Sequence, residues 1–576
     1  MKKIILFIVL MLVLVSSVSA LENSMKLLAV KETSDGFEGS LAELNLEIRS
    51  GKGRVLLETS PLTKIDTQVS TRIAQEISCN YLDLDCSNLD FIYTIKSDSS
   101  IVGGPSAGSA MAVMTILTLS NLKISEDTVI TGTINSGNLI GPVGGIKEKI
   151  EIAQKSGFNK ILIPLGEFID LGDNKTINLS EFKKNQSIEI IEVSTLDSAL
   201  FEFTGTNFRN VSTKELVVDE EYIGIMKKVS DKLCQRTYDM IGSVYDENYS
   251  KQYENFSLEV NKLFDKKDYY SGASKCFSAN IGLRTYLSNE NNISISYSIN
   301  QLIKDINNFE TDLNNKKINN VPNLQTFIIV KERLNDAKHN NNEALSQLMK
   351  NNTKSAISLY SYALERFDAA SSWSTFFEKE GKKLNINENI LAKTCFNKIQ
   401  EANSRIQYLN SIIDNGLTEL NEDLNQAKKE SENGEYALCL NYASLAKANA
   451  DTIIGGSSFR NESEIKDLIE LKLDIAKQII SEQQDKGLFP ILGYSYYEYS
   501  KNLINTSTYS SLLFAQYSLE LSDFSLYLEN GDKKQIVLEG DKIVDHKTNY
   551  EMFIIYAFGF ITGAIVAFML YHSLRN

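Results

Sequence analysis

The stretch Gly103-Gly104-Pro105-Ser106-Ala107-Gly108 is the part of the chain best suited to covalent chemistry. Two glycines and a proline make a tight turn, and an apolar helical run through Ala110, Met111, Val113, Met114 and Leu117 follows. Ser106 then stands at a helix N-terminus, where backbone N–H groups and the positive end of the dipole would stabilise an oxyanion. Gly104, Ala107 and Gly108 are the candidate loop and oxyanion positions, small enough to let a substrate backbone come close. A serine nucleophile needs a base. The histidines are His339, His546 and His572, so a Ser-His-Asp triad or a His-ligated zinc is excluded from everything before them. The run Gly141-Pro142-Val143-Gly144-Gly145-Ile146-Lys147-Glu148-Lys149 offers a different base. Ile146, Lys149, Ile150 and Ala153 recur at helical spacing, which puts Lys149 on the apolar stripe, whereas Lys147, Glu148, Glu151 and Lys155 point elsewhere. A charged amine is costly to bury, so its pKa should fall from about 10.4, and a neutral lysine can take a serine proton. Two plainer readings stand beside this one: Ser106 as a helix cap, and Lys149 as a snorkelling lysine with its amine in water.

The elements that must position these groups form an α+β domain over 25–205. Strands are expected over 44–48, 53–57, 91–95, 128–134, 160–164 and 188–193, and helices over 67–77, 107–119, 146–156 and 195–203. A linker over 206–224 leads into a region of long helical periodicity, as in Ile225, Val229, Leu233 and in Leu438, Tyr442, Leu445. Cys234 and Cys276 recur as Cys395 and Cys439 after about 160 residues, each second cysteine following a similar Tyr-containing phrase. This reads as a tandem duplication: one all-α helical unit over 225–385, a second over 386–535. Such arrays bind, space or scaffold.

The chain has 576 residues and a formal charge of −15, from 59 basic and 74 acidic side chains, which argues against a nucleic-acid partner. Met1-Lys2-Lys3, an apolar run over 4–15 and Val18-Ser19-Ala20 read as a signal peptide over 1–20. Residues 552–571 carry no charge and, at about 20 residues, match a membrane's hydrocarbon core, so one C-terminal transmembrane helix is expected. Gly559 and Gly563 could form a helix-dimer face there. With an export signal in front, the bulk of the chain faces outside and a short tail inside. The six cysteines, Cys79, Cys86, Cys234, Cys276, Cys395 and Cys439, are disulfide candidates, and neighbour pairing is the simplest arrangement.

Gly104-Pro105-Ser106-Ala107-Gly108, Thr131-Gly132, Pro142 through Lys149 and Ile161-Leu162-Ile163-Pro164 together resemble the proteolytic domain of the Lon protease family. The resemblance runs from about Leu27 to Phe203 and implies a Ser-Lys dyad: the family's serine falls on Ser106, its lysine on Lys149, and the threonine that bonds the lysine amine on Thr131. Two departures stand out. Gly103 replaces an acidic residue, and Thr131-Gly132-Thr133 lacks the carboxylate of Thr-Gly-Glu. No phosphate-binding GxxxxGK[ST] loop occurs, so no nucleotide-driven unfolding is expected; the dyad chemistry calls for no cofactor or metal. The arrangement is similar to stand-alone, membrane-anchored Lon-like serine proteases of archaea. It implies an ATP-independent serine endopeptidase acting on unfolded protein or peptide substrates, with a homo-oligomer left open. The rival is a non-proteolytic surface binding or scaffold protein that keeps the Lon-like fold.

Overall fold

A computed structural model describes residues 20–34, 36–166, 168–170, 176–209, 216–290, 294–383, 388–412, 418–457, 462–522 and 534–535. The expected signal peptide, apart from Ala20, and the expected transmembrane segment lie outside them. Among the described residues no helix is long and apolar enough to cross a membrane.

The N-terminal part is built on a four-stranded sheet. Its strands are β1 (Leu21–Thr33), β2 (Gly36–Ser50), β3 (Val55–Thr63) and, after α1 (Ile65–Tyr81) and the short β4 (Leu84–Asp85), β5 (Leu89–Val102). The order is β1-β2-β5-β3, with only the β3–β5 pair parallel. Alternation drives it: Ala42, Leu44, Leu46 and Ile48 on β2 and Leu89, Phe91, Tyr93 and Ile95 on β5 face one core. That core is filled by α2 (Gly108–Leu119), a helix buried on every side. Beyond it come β6 (Thr128–Ile130), the antiparallel hairpin of β7 (Thr133–Asn135) and β8 (Leu139–Gly141), α3 (Ile146–Lys155) and β9 (Lys160–Pro164). The hairpin of β10 (Phe168–Asp170) and β11 (Thr176–Asn178), then α4 (Leu179–Lys183), β12 (Glu189–Val193) and α5 (Leu196–Thr204) complete the unit. A second, parallel sheet has the order β12-β9-β6.

Three expectations need correction. The strand over 128–134 is broken at Thr131–Gly132: the Thr131 N–H still bonds Leu162 of β9, but the Gly132 backbone turns to bond Ser106 and Ser109. The helix over 107–119 starts at Gly108, because Pro105–Ala107 forms a separate 3₁₀ turn. The strand over 53–57 starts at Val55, since Gly53 turns the chain with φ +74°. Strand β1 had no counterpart among the expected strands.

Apart from the two-residue β13 (Lys534–Gln535), which pairs with β4, the described residues that follow are mainly helical: α6 (Glu220–Ile241), α7 (Glu247–Ser250), α8 (Phe256–Asp265), α9 (Tyr269–Glu290), α10 (Ile295–Asn314), α11 (Val321–Met349) and α12 (Thr353–Trp373). Then follow α13 (Glu388–Ile412), α14 (Thr418–Glu432), α15 (Tyr436–Ser457), α16 (Glu462–Asp485), α17 (Ile491–Leu503) and α18 (Thr508–Ser522). Helix α6 begins inside the stretch expected to be linker because Asp219 caps it, accepting the Tyr222 N–H at 2.8 Å. Disulfides join Cys79 to Cys86, Cys234 to Cys276 (α6 to α9) and Cys395 to Cys439 (α13 to α15).

Candidate functional site

The Ser106 turn is held from both sides. Gly104 has φ +99° and ψ 149°, a conformation open only to glycine, and a Cβ on Gly103 would lie 2.6 Å from Lys64 Cδ. Asp66, in the first turn of α1, accepts the Gly104 N–H at 3.1 Å through Oδ2, while its Oδ1 accepts the Thr67 N–H at 2.7 Å. The Thr67 hydroxyl faces the Gly104 carbonyl oxygen at 3.5 Å. Pro105 is buried at the head of the 3₁₀ turn and Ser106 is half-buried behind it. Two of the three candidate oxyanion positions have their N–H groups engaged: Gly104 by Asp66, and Gly108 by the Pro105 carbonyl in closing the turn.

On the other side, the Gly132 N–H donates to the Ser106 carbonyl at 3.0 Å and the Ser109 N–H donates to the Gly132 carbonyl at 3.0 Å. The buried Thr131 donates its N–H to the Leu162 carbonyl at 3.0 Å and its hydroxyl lies 3.5 Å from the Ser106 carbonyl oxygen. Gly108 permits this approach: a Cβ there would sit 3.1 Å from the Ile134 nitrogen. The structure therefore brings Ser106 and Thr131 together through the backbone. At the position of the missing family carboxylate, the buried Thr133 hydroxyl accepts from Asn135 Nδ2 at 3.1 Å.

Lys149 lies in the first turn of α3, which follows the β7–β8 hairpin in the chain; the antiparallel pairing brings Gly141 back opposite Thr133. Its side chain is only 3% exposed, and Ile146, Ile150 and Ala153 are buried with it. The helix rests on the β1–β2 hairpin through two glycines. A Cβ on Gly39 would lie 2.2 Å from the Glu148 carbonyl oxygen, and one on Gly145, where φ is +69°, would lie 2.5 Å from Val30 Cγ2. Among the described residues, no group of three His, Cys, Asp or Glu side chains could hold a metal ion.

Asp66 is the residue that sequence reasoning missed. Its only signal was an acidic side chain in the first turn of a helix, a common capping arrangement.

Residues 97–202 match the Lon protease (S16) C-terminal proteolytic domain. This segment is a Lon-type proteolytic domain. It spans Ser106, Thr131 and Lys149. The chain is 33% identical over 116 residues to an archaeal Lon protease of Methanocaldococcus jannaschii, covering 20% of this chain and 16% of that one. It is 26% identical over 160 residues to an archaeal Lon protease of Archaeoglobus fulgidus (28% and 24%). It is 29% identical over 182 residues to a Lon protease of Paraburkholderia phytofirmans (30% and 22%). The chain thus spans less than a quarter of the length of these relatives, and the family match ends at residue 202, before the helical region.

Proposed function

We propose that the chain is an ATP-independent serine endopeptidase that hydrolyses peptide bonds in unfolded or flexible protein segments through a Ser-Lys dyad. Ser106 Oγ attacks the scissile carbonyl carbon, and its proton passes to Lys149 Nζ. The tetrahedral oxyanion is met by backbone N–H groups of the turn. As it collapses, Lys149 returns the proton to the leaving amine, which departs and leaves an ester on Ser106. Water then attacks the ester and gives its proton to Lys149, which passes it to Ser106 Oγ as the ester C–O bond breaks and the acid is released. Thr131 orients the lysine. An amine kept from water favours the neutral form that a general base requires. The observation that carries the reading is a Lys149 side chain only 3% exposed within a Lon-type domain whose Ser106 turn is braced by Thr131 and Gly132.

The apolar runs over 4–15 and 552–571 support a cleaved export signal and a C-terminal membrane anchor, with the bulk of the chain extracellular. The nearly equal cysteine spacing in the two helical halves, 42 and 44 residues, supports a duplicated array. Purified full-length Ser106→Ala and Lys149→Ala proteins should lose casein hydrolysis while keeping their helical content. Hydrolysis that persists in the Ser106→Ala protein would refute the reading.

A further inference from the structure

The helical array does not merely follow the Lon-type domain; α13 packs against α1, and the array also grips the stretch that follows Thr131. Between Thr131 and Lys149 the chain makes the β7–β8 hairpin and the loop 142–145. Helix α13 lays one face on this stretch. Arg405 donates at 2.8 Å to the Ile134 carbonyl and also bonds Asn135 Oδ1, and Asn135 in turn donates to Thr133. One turn further along α13, the Tyr408 hydroxyl accepts the Gly144 N–H at 3.0 Å. From α15, Lys447 Nζ donates to Ser136 Oγ at 3.0 Å. At the hairpin's tip Leu139 belongs to the array's hydrophobic core, and Gly137 lies so close to Ile475 and Ile479 that a Cβ would sit 3.1–3.2 Å from them.

The charges at this contact are buried. Lys398, Arg405, Lys447 and Glu520 are each 4% exposed or less. Glu520 on α18 bonds Lys447, and its other oxygen lies 3.4 Å from Lys398. Charges taken out of water are costly even when paired, so such a network does little as simple glue; its best-attested use is to fix register. Here it fixes the stretch whose two ends carry Thr131 and Lys149.

We propose that Arg405, Tyr408 and Lys447 are positioning residues for the protease site: the array clamps the hairpin and loop 133–145 and thereby sets the Lys149 amine against the Ser106 hydroxyl. The proposal rests on the Ser-Lys reading above. It makes the second half of the array part of the working enzyme. A site whose base sits at the end of a long connection gains from a clamp, because a misplacement of about 1 Å costs on the order of 100-fold in rate.

The test uses the full chain with Tyr408→Phe, Arg405→Met and Arg405→Lys. Casein hydrolysis should show kcat reduced about tenfold in Tyr408→Phe and on the order of 100-fold in Arg405→Met, with KM within about twofold of wild type. Arg405→Lys, which keeps a charge and one donor, should recover part of the loss. Amide exchange over 133–145 should rise in the same order while α2 stays protected. A merely structural interface would change stability without this split. Wild-type kcat together with wild-type exchange in Tyr408→Phe would overturn the proposal. Should Arg405→Met fail to fold, Tyr408→Phe decides alone, because it removes a single hydroxyl. A wild-type chain that hydrolyses nothing counts against the protease reading itself, and the exchange comparison then judges the clamp: faster exchange in Tyr408→Phe upholds it, and unchanged exchange overturns it.

Discussion

Of the adjacent glycines at 144 and 145, only Gly145 should be sensitive to alanine. Gly145 has φ +69°, and an added methyl would sit 2.5 Å from Val30 Cγ2. An alanine in the left-handed region costs about 1–2 kcal/mol. Relieving the overlap, against an ordinary carbon contact of about 3.5–4.0 Å, requires a shift of roughly 1 Å and about 1–3 kcal/mol more. The shift falls on the N-terminus of α3, one turn from Lys149. Gly145→Ala should therefore destabilise the domain by about 2–5 kcal/mol and lower kcat/KM on the order of 100-fold. At Gly144 a Cβ would meet nothing within 4 Å, and alanine keeps the N–H that reaches Tyr408, so Gly144→Ala should be close to neutral. The clash is separable from the backbone strain. Val30 Cβ would lie an ordinary 3.5 Å away, so Val30→Ala in the Gly145→Ala background removes only the overlap. Denaturant titration and casein hydrolysis of the four proteins form a double-mutant cycle, with an expected coupling of about 1–3 kcal/mol. Equal effects at both glycines, or no rescue by Val30→Ala, would refute the packing of α3 on the β1–β2 hairpin.

Other consequences follow from single contacts. Asp66→Ala frees the Gly104 N–H, and kcat should fall roughly tenfold with little change in denaturation midpoint, whereas Asp66→Asn, which keeps an acceptor, should fall less. Replacing both Cys395 and Cys439 by Ser opens a long loop in the second half of the array and should cost about 4 kcal/mol, read by denaturant titration without reductant. Burial, joined by the nearby Asp268 charge, pushes Glu498 up to about 8, although Tyr494 donates to it at 2.8 Å. The folded chain thus holds a proton that the unfolded chain gives up near pH 4.5, so this group's contribution to stability falls as pH rises from about 4.5 to about 8. Glu498→Gln should raise the melting temperature above pH 8 and change it little at pH 4.5. Glu520 shows the reverse sign. Burial opposes its ionisation, but the Lys447 and Lys398 ammoniums prevail and hold it at about 2. Its contribution is present above about pH 4.5 and is lost as pH falls toward 2, so amide exchange over 133–145 should rise in that window.

Local rules read most of the N-terminal unit because its elements obey them singly. The alternation of β2 and β5, the unbroken apolar run of α2 and the spacing of Ile146, Lys149, Ile150 and Ala153 each carry their own burial pattern. What local rules missed was set by distant partners. Thr128–Ile134 looks like one strand by composition, yet Gly132 is drawn out of it by Ser106 and Ser109. Lys398, Glu401 and Arg405 are spaced like a solvated charged face of a helix, and residue spacing alone gives no cue that they are buried. Arg405 meets Asn135, 270 residues away in sequence, and no periodicity encodes such a pairing. Asp66 was invisible for the same reason, since its partner Gly104 lies on the far side of β5 in sequence.

The most direct measurement is covalent labelling of the full-length chain with a serine-directed fluorophosphonate, the modified residue being assigned by peptide mass mapping. The account predicts a single adduct on Ser106, formed in wild type and at least about 100-fold more slowly in Lys149→Met, a substitution that keeps the buried volume but removes the base. Labelling of Ser106 at the same rate in both proteins, or none in wild type, would contradict it.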